Sequence, residues 1–246
     1  FREWAPNAKA IYVTGDFNGW RRDEAWRMKS LGGGNWELLV PEEALQPGNL
    51  YKWIVEWRDA NGAICSAERL PAYATRTVQK PETKLFAAEV QEPKSYRWRH
   101  RLKRRVEHPL IYEAHIGMSS EEETVANFTW FRKNILPHIA ELGYNTLQIM
   151  ALQEHPYYGS FGYQVSNFFA LSSRFGTPAE FKALVDEAHR LGIAVIMDIV
   201  HSHAARNEAE GIYNLDGSGR LYFHTGKRGD HKEWGTKCFN YGLDET

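Results

Sequence analysis

The stretch IAVIMDIVHSH, Ile193 to His203, decides the fold. Its apolar run, Ile193–Val200, reads as a strand buried on both faces, as in a parallel sheet lying under helices. Asp198 breaks that run with a carboxylate. A buried, unpaired charge is strongly disfavoured, so Asp198 is expected to have a partner or to face a cleft. His203 lies just past the strand, where α/β barrels keep their chemistry. A lone histidine near a core is usually structural. An Asp and a His in order at one strand's C-terminal end favour a functional site.

The residues upstream repeat the pattern. Thr177-Pro178-Ala179-Glu180 is a capping box with proline in the first helical position. Phe181, Leu184, Val185, Ala188 and Leu191 follow at helical spacing, and Gly192 supplies the stop. An earlier copy places a short helix on Ile135, Leu136, Ile139 and Leu142, ended by Gly143, with a strand over Thr146–Leu152. Pro137 is expected in that helix's first turn, because an interior proline would break it. Leu110–His115 supplies a first strand. The order strand, helix, strand, long loop, helix, strand predicts a parallel sheet with right-handed crossovers.

The N-terminal part has another rhythm. Ala10–Thr14 alternates as a strand, Gly15-Asp16-Phe17-Asn18-Gly19 is turn chemistry, and Trp36–Val40 and Leu50–Trp57 read as further strands. Asp59-Ala60-Asn61-Gly62 is a hairpin signal. Short strands between turns suggest a sandwich. Between the halves, Pro81, Pro93 and Pro109 punctuate the chain and Tyr96–Arg105 is strongly basic. Such a run suits a solvated linker or an interdomain contact better than a nucleic-acid surface, because the whole chain carries a net charge of −1. Gly32-Gly33-Gly34 sits in a turn between strands and is no phosphate loop.

Composition is ordinarily globular, at 43% hydrophobic and 25% charged residues. No apolar run approaches a membrane span, and no signal peptide is visible. Cys65 and Cys238 belong to no CxxC pair, so free thiols in a reducing, cytoplasmic setting are expected. His201 and His203 lack the companions of a metal site, and neither a metal nor a cofactor is expected.

DIVHSHAARN (from Asp198), YEAHIGMSS (Tyr112–Ser120) and YYGSFGYQVSNFFA (Tyr157–Ala170) resemble the α-amylase superfamily and, within it, the 1,4-α-glucan branching enzymes. YFHTGKRGDHKEWGTKCFNYG (Tyr222–Gly242) resembles the stretch that follows in the eukaryotic-type members. FREWAPNAKAIYVTGDFNGW (Phe1–Trp20) resembles the starch- or glycogen-binding module that precedes their barrel, from the middle of its first strand onward. The resemblance implies a multidomain fold: an all-β sandwich, the glucan-binding module, over residues 1–90, a linker over 91–108, and the N-terminal part of an α/β (β/α)8 TIM barrel over 109–246.

It also implies roles. Asp198 organises the pocket, His203 donates to a hydroxyl of the sugar being cleaved, and Tyr163 stacks on that sugar. Ser202 stands where many amylases carry Asn, which leans towards branching rather than hydrolysis. Trp20 matches an aromatic that can stack on a glucan. The simpler reading of Trp20, Trp36, Trp53 and Trp57 fills a small aromatic core, and Tyr163 could likewise pack beside Phe161, Phe168 and Phe169. The implied partner is an α-glucan polysaccharide (glycogen, amylose or amylopectin), with neither nucleic acid nor a membrane.

Branching retains configuration and so needs a carboxylate nucleophile and an opposed acid roughly 5 Å apart. No block here resembles the family's GFRFD nucleophile segment or its later Glu and His-Asp segments. The chain is therefore expected to be incomplete at both ends, without catalytic residues or turnover of its own, and prone to aggregate through open strand edges. A non-catalytic glucan-binding role and a debranching or hydrolytic relative remain the alternatives.

Overall fold

A computed structural model of the chain describes residues 1–92, 95–102 and 105–246. Pro93 and, within the basic run, Lys103 and Arg104 lie outside the described residues.

The N-terminal part is built from β1 (Arg2–Trp4), β2 (Ala8–Gly15), β3 (Lys29–Gly32), β4 (Asn35–Glu37), β5 (Leu50–Arg58), β6 (Ile64–Arg69), β7 (Thr77–Gln79) and β8 (Phe86–Glu89). They form two antiparallel sheets: β1-β4-β3, and β2-β5-β8-β7 with β6 also paired to β5. The hairpin expected at Asp59 joins β5 to β6. Asp59 Oδ1 accepts the amides of Asn61 and Ala63, each at 2.9 Å. Alternation along β2 and β5 sends Ile11, Val13, Trp53 and Val55 into a core shared with Trp36 and Met28. Glu3 is buried at its edge and accepts from Trp53 Nε1 (3.0 Å), the Ala72 amide (2.9 Å) and the Trp4 amide (2.8 Å). Those donors tie β1 to β5, while burial pushes the carboxyl's pKa up.

The C-terminal part continues with β9 (Ile111–Ala114), α1 (Phe128–Trp130), a π-helical turn (Phe131–Ile135), α2 (Leu136–Glu141), β10 (Thr146–Ile149), β11 (Gln153–Glu154), β12 (Asn167–Leu171), α3 (Pro178–Arg190) and β13 (Ala194–Met197). The strands β13-β10-β9 form a parallel sheet, with Leu147 opposite both Val195 and Tyr112. Helical residues Phe128, Phe131, Leu136, Ile139, Leu184 and Ala188 cover one face, against Leu147 and Ile149. The capping box at Thr177 forms as expected: Thr177 Oγ1 accepts the Glu180 amide at 3.2 Å, and Glu180 Oε2 accepts the Thr177 amide at 2.8 Å.

The expected short helix is α2, with Pro137 in its first turn as expected, and it continues directly from α1 and the π-helical turn. Proline has no N–H for the helical ladder, and the wider π turn lies immediately ahead of it. One expectation needs correction. The strand read over Ile193–Val200 is shorter and is not buried on both faces. Ile196 and Ile199 are 42% and 50% exposed, because β13 is an edge strand covered by helices on one side only.

After β13 the chain forms a further antiparallel sheet from β14 (His203–Ala205), β15 (Asp230–His231) and β16 (Thr236–Cys238), in the order β14-β16-β15. Ala204, Ile212, Leu215, Leu221, Tyr222 and Phe223 lie in the same core as Ile11, Val13 and Trp53. The two halves therefore share one apolar interior. Polar latches ring it: Phe86 N–H to Glu210 Oε1 (2.8 Å), Arg69 Nε to the Asn214 carbonyl (2.9 Å), Thr77 Oγ1 to Glu154 Oε2 (3.0 Å) and Arg76 Nη1 to the Gly176 carbonyl (2.6 Å). The described part of the basic run is tethered too, since Asp186 on α3 accepts the amides of Arg99 and His100 at 3.1 and 2.8 Å.

Gly217 packs tightly against Trp57 of the other half. Its φ is +78°, and a Cβ there would lie 2.2 Å from Trp57 Cγ. Gly217→Ala is therefore expected to destabilise the chain by about 2 kcal/mol or more, from left-handed strain plus the clash. Adding Trp57→Ala should recover the clash portion, read as non-additive shifts in urea midpoint. A single variant with an unchanged midpoint would contradict this contact.

Candidate functional site

β13 ends where the Asp198 amide donates to the Ile149 carbonyl at 3.0 Å, which sets its carboxylate just past the C-terminal edge of the parallel sheet. The expected partner is present: Tyr163 Oη donates to Asp198 Oδ2 at 2.7 Å. Burial first, and then the Asp198 hydrogen bond, push the Tyr163 phenol up to about 12, so it stays protonated at neutral pH.

The turn that presents Tyr163 is fixed by its neighbours. Phe161 is left-handed at φ 53°. A Cβ on Gly162 would lie 2.1 Å from the Ala151 carbonyl oxygen, so only glycine fits there.

His203 opens β14 and is 5% exposed. Its Nε2 lies 2.8 Å from the Tyr163 carbonyl oxygen and its Nδ1 lies 3.1 Å from Ser202 Oγ. A carbonyl can only accept, so Nε2 carries a proton and donates to it. Asp198, Tyr163 and His203 thus form one hydrogen-bonded group. Gln153, buried on β11, locks the segment between them: its Oε1 accepts the Val200 amide at 2.9 Å and its Nε2 donates to the Phe168 carbonyl at 3.0 Å.

Tyr163, Asp198, Ser202 and His203 line a cavity of about 810 Å³ together with Ser160, Gln164, His201, Glu233 and Trp234. An aromatic ring, a carboxylate and hydroxyls converging on one concavity suit a polyhydroxylated ligand. Trp20 is not among its lining residues. It sits on the module, half-buried and left-handed at φ 60°, with its indole N–H on Asp16 Oδ1 (2.9 Å) and the Lys80 ammonium 3.8 Å from its ring centre. Trp36 and Trp53 fill the core and Trp57 packs against it, whereas Trp20 lies outside that cluster.

Sequence reading missed Gln153, Glu233 and Trp234 as parts of the site. Only Trp234 left a trace, as a large aromatic among charged and glycine residues in HKEWGT. It also missed two buried imidazoles behind the cleft. His155 is fully buried, with Nδ1 on the Gln153 carbonyl (2.9 Å) and no partner for Nε2 among the described residues. His115, at the end of β9, packs edge-on against Tyr158, Phe161 and Phe175.

Residues 133–234 match the family described as alpha amylase, catalytic domain, and residues 1–74 match carbohydrate-binding module 48, the isoamylase N-terminal domain. The chain is 43% identical over 253 residues to the 1,4-alpha-glucan-branching enzyme of Yarrowia lipolytica, covering 100% of this chain and 36% of that protein. It is 44% identical over 250 residues to the 1,4-alpha-glucan-branching enzyme 2-2, chloroplastic/amyloplastic, of Arabidopsis thaliana, covering 98% and 30%. A solved putative alpha amylase from Salmonella typhimurium superposes with a TM-score of 0.76 at 26% identity, covering 100% of this chain and 37% of that one. A pullulanase from Paenibacillus barengoltzii gives 0.77 at 21% identity, covering 97% and 42%, a likeness of fold alone. The chain spans 30–36% of the length of these two branching enzymes.

The buried imidazoles make stability depend on pH. Burial lowers His155 to about 4. The unfolded chain takes up a proton near pH 6.5 that the folded chain refuses, so this contribution is complete above that pH and is lost as pH falls towards 4. The loss is of order 3 kcal/mol. Urea midpoints measured from pH 7 to pH 4.5 should fall more steeply for the unmodified chain than for His155→Gln. Parallel slopes would show that His155 is not buried in neutral form.

Proposed function

We propose that this chain, a member of the 1,4-α-glucan branching enzyme family over the part of its relatives that it spans, forms the front wall of a glucan-transfer cleft. The observation that carries this reading is the hydrogen-bonded group of Asp198, Tyr163 and His203 at the C-terminal edge of the parallel sheet. Tyr163 offers a ring face for a glucosyl unit. Asp198 orients that ring through the phenol and accepts from sugar hydroxyls with its free lone pairs. A sugar hydroxyl takes the His203 Nε2–H in exchange for the Tyr163 carbonyl.

The reaction of the whole enzyme breaks an α-1,4 bond and joins the freed segment to a 6-hydroxyl. Both displacements need two opposed carboxylates in addition to these residues. Turnover is expected only where those carboxylates complete the cleft. The substrate would be a linear α-glucan such as amylose or the outer chains of glycogen or amylopectin, handled in a cytoplasmic setting. Among the described residues no helix is long and apolar enough to cross a membrane. We assign residues 1–90 to the glucan-binding module, 91–108 to the linker and 109–246 to the barrel.

Trp20 supports a separate contact of the module with glucan, because it lies outside the core and away from the cleft. Two assays separate the surfaces. Maltoheptaose binding by calorimetry should weaken roughly tenfold in Tyr163→Ala and in Asp198→Asn, each having lost contacts worth about 1–2 kcal/mol, and stay unchanged in Trp20→Ala. Glycogen co-sedimentation should weaken in Trp20→Ala. Maltoheptaose affinity that is indifferent to both cleft substitutions would refute the cleft reading.

A further inference from the structure

We infer that Trp234 is a sugar-stacking residue of the cleft, a second aromatic surface that holds a glucosyl ring beyond the one at Tyr163. The inference rests on the reading of the cleft as a glucan site. Trp234 is 55% exposed, yet two imidazole rings pack against its indole and a hydrogen bond holds its backbone. His231 lies flat against it at 4.0 Å between ring centres and 5° between planes. His203 meets it edge-on at 5.0 Å. Its carbonyl accepts from Gln164 Nε2 at 2.9 Å, and Gln164 is the residue next to Tyr163. The turn that carries it joins β15 to β16, and these strands are clipped together by Lys237 Nζ on Asp230 Oδ1 at 2.6 Å.

A large indole held in place but left more than half in water is a poor structural investment and a good binding surface. Little side-chain freedom remains to be lost when a ligand arrives. The axial C–H faces of a glucopyranose are flat and apolar, which suits the indole face not covered by His231. Other exposed tryptophans lack this combination. Trp98 sits against its neighbour Tyr96 and His189 of α3, and Trp130 Nε1 bonds the Ser119 carbonyl; neither lines the cavity.

The test titrates maltoheptaose into the 246-residue chain and its variants by calorimetry. Trp234→Ala should weaken binding roughly tenfold and Trp234→Phe by less, a size typical of an aromatic contact residue. Trp98→Ala should bind as the unmodified chain does. Thermal midpoints should stay close together, because the indole is exposed. In the unmodified chain, the Trp234 indole N–H resonance, assigned by its absence from the Trp234→Phe spectrum, should shift with the same Kd. If Trp234→Ala binds normally or that resonance stays still, while Tyr163→Ala loses affinity, the inference falls and the cleft reading stands. If the unmodified chain fails to bind, or Tyr163→Ala binds equally well, both fall.

Discussion

The apolar interior shared by the β-sandwich and the segment after β13 governs the rest of this structure. Ala204, Ile212, Leu215, Leu221, Tyr222 and Phe223 bury themselves among Ile11, Val13, Trp53 and Val55. At about 25 cal/mol per Å² of apolar surface, six such residues supply far more than any latch at the rim. The latches decide register instead. The buried carboxylate of Glu154 accepts from Thr77 on one half and from the Ser173 amide (2.8 Å) on the other. An unmatched carboxylate there would be costly, so the pairing admits few alternative placements of the halves.

The cleft inherits its geometry from that interior. β14 belongs to the sheet that packs into the sandwich, and His203 is its first residue. Asp198 directly follows β13 of the parallel sheet, and Tyr163 lies in the loop between β11 and β12. Three separately anchored elements therefore meet in one hydrogen-bonded group. The buried amide of Gln153 ties β12 to the segment between β13 and β14, donating to the Phe168 carbonyl and accepting the Val200 amide. The sandwich and the cleft are in this way held in a fixed relation through the interior they share.

Local chemistry made much of this legible in the sequence. The Thr177 box, the Asp59 hairpin and the parallel order of the strands each depend on neighbours close in the chain. Asp198 was legible because a carboxylate closing an apolar run demands a partner, and Tyr163 provides it. The shared core was not legible, because Ala204 to Phe223 lie in a glycine-rich polar stretch without helix or strand periodicity, and their partners lie at the far end of the chain. Trp234 was hidden for a similar reason: its ring is positioned by His231 and His203, and only the folded turn brings them together. The strand over Ile193–Val200 misled because apolar composition records what a strand can bury, whereas its exposure depends on which faces have neighbours.

Hydrogen exchange under native conditions, followed by mass spectrometry across a urea series, tests the shared interior most directly. Amides of β2 and β5 in the sandwich should open with the same free energy and the same urea dependence as those of β14 and β16, as expected of a single cooperative unit. If the sandwich amides stay protected while β14 and β16 exchange in a separate, earlier step, the halves do not share a core and this account of the cleft fails.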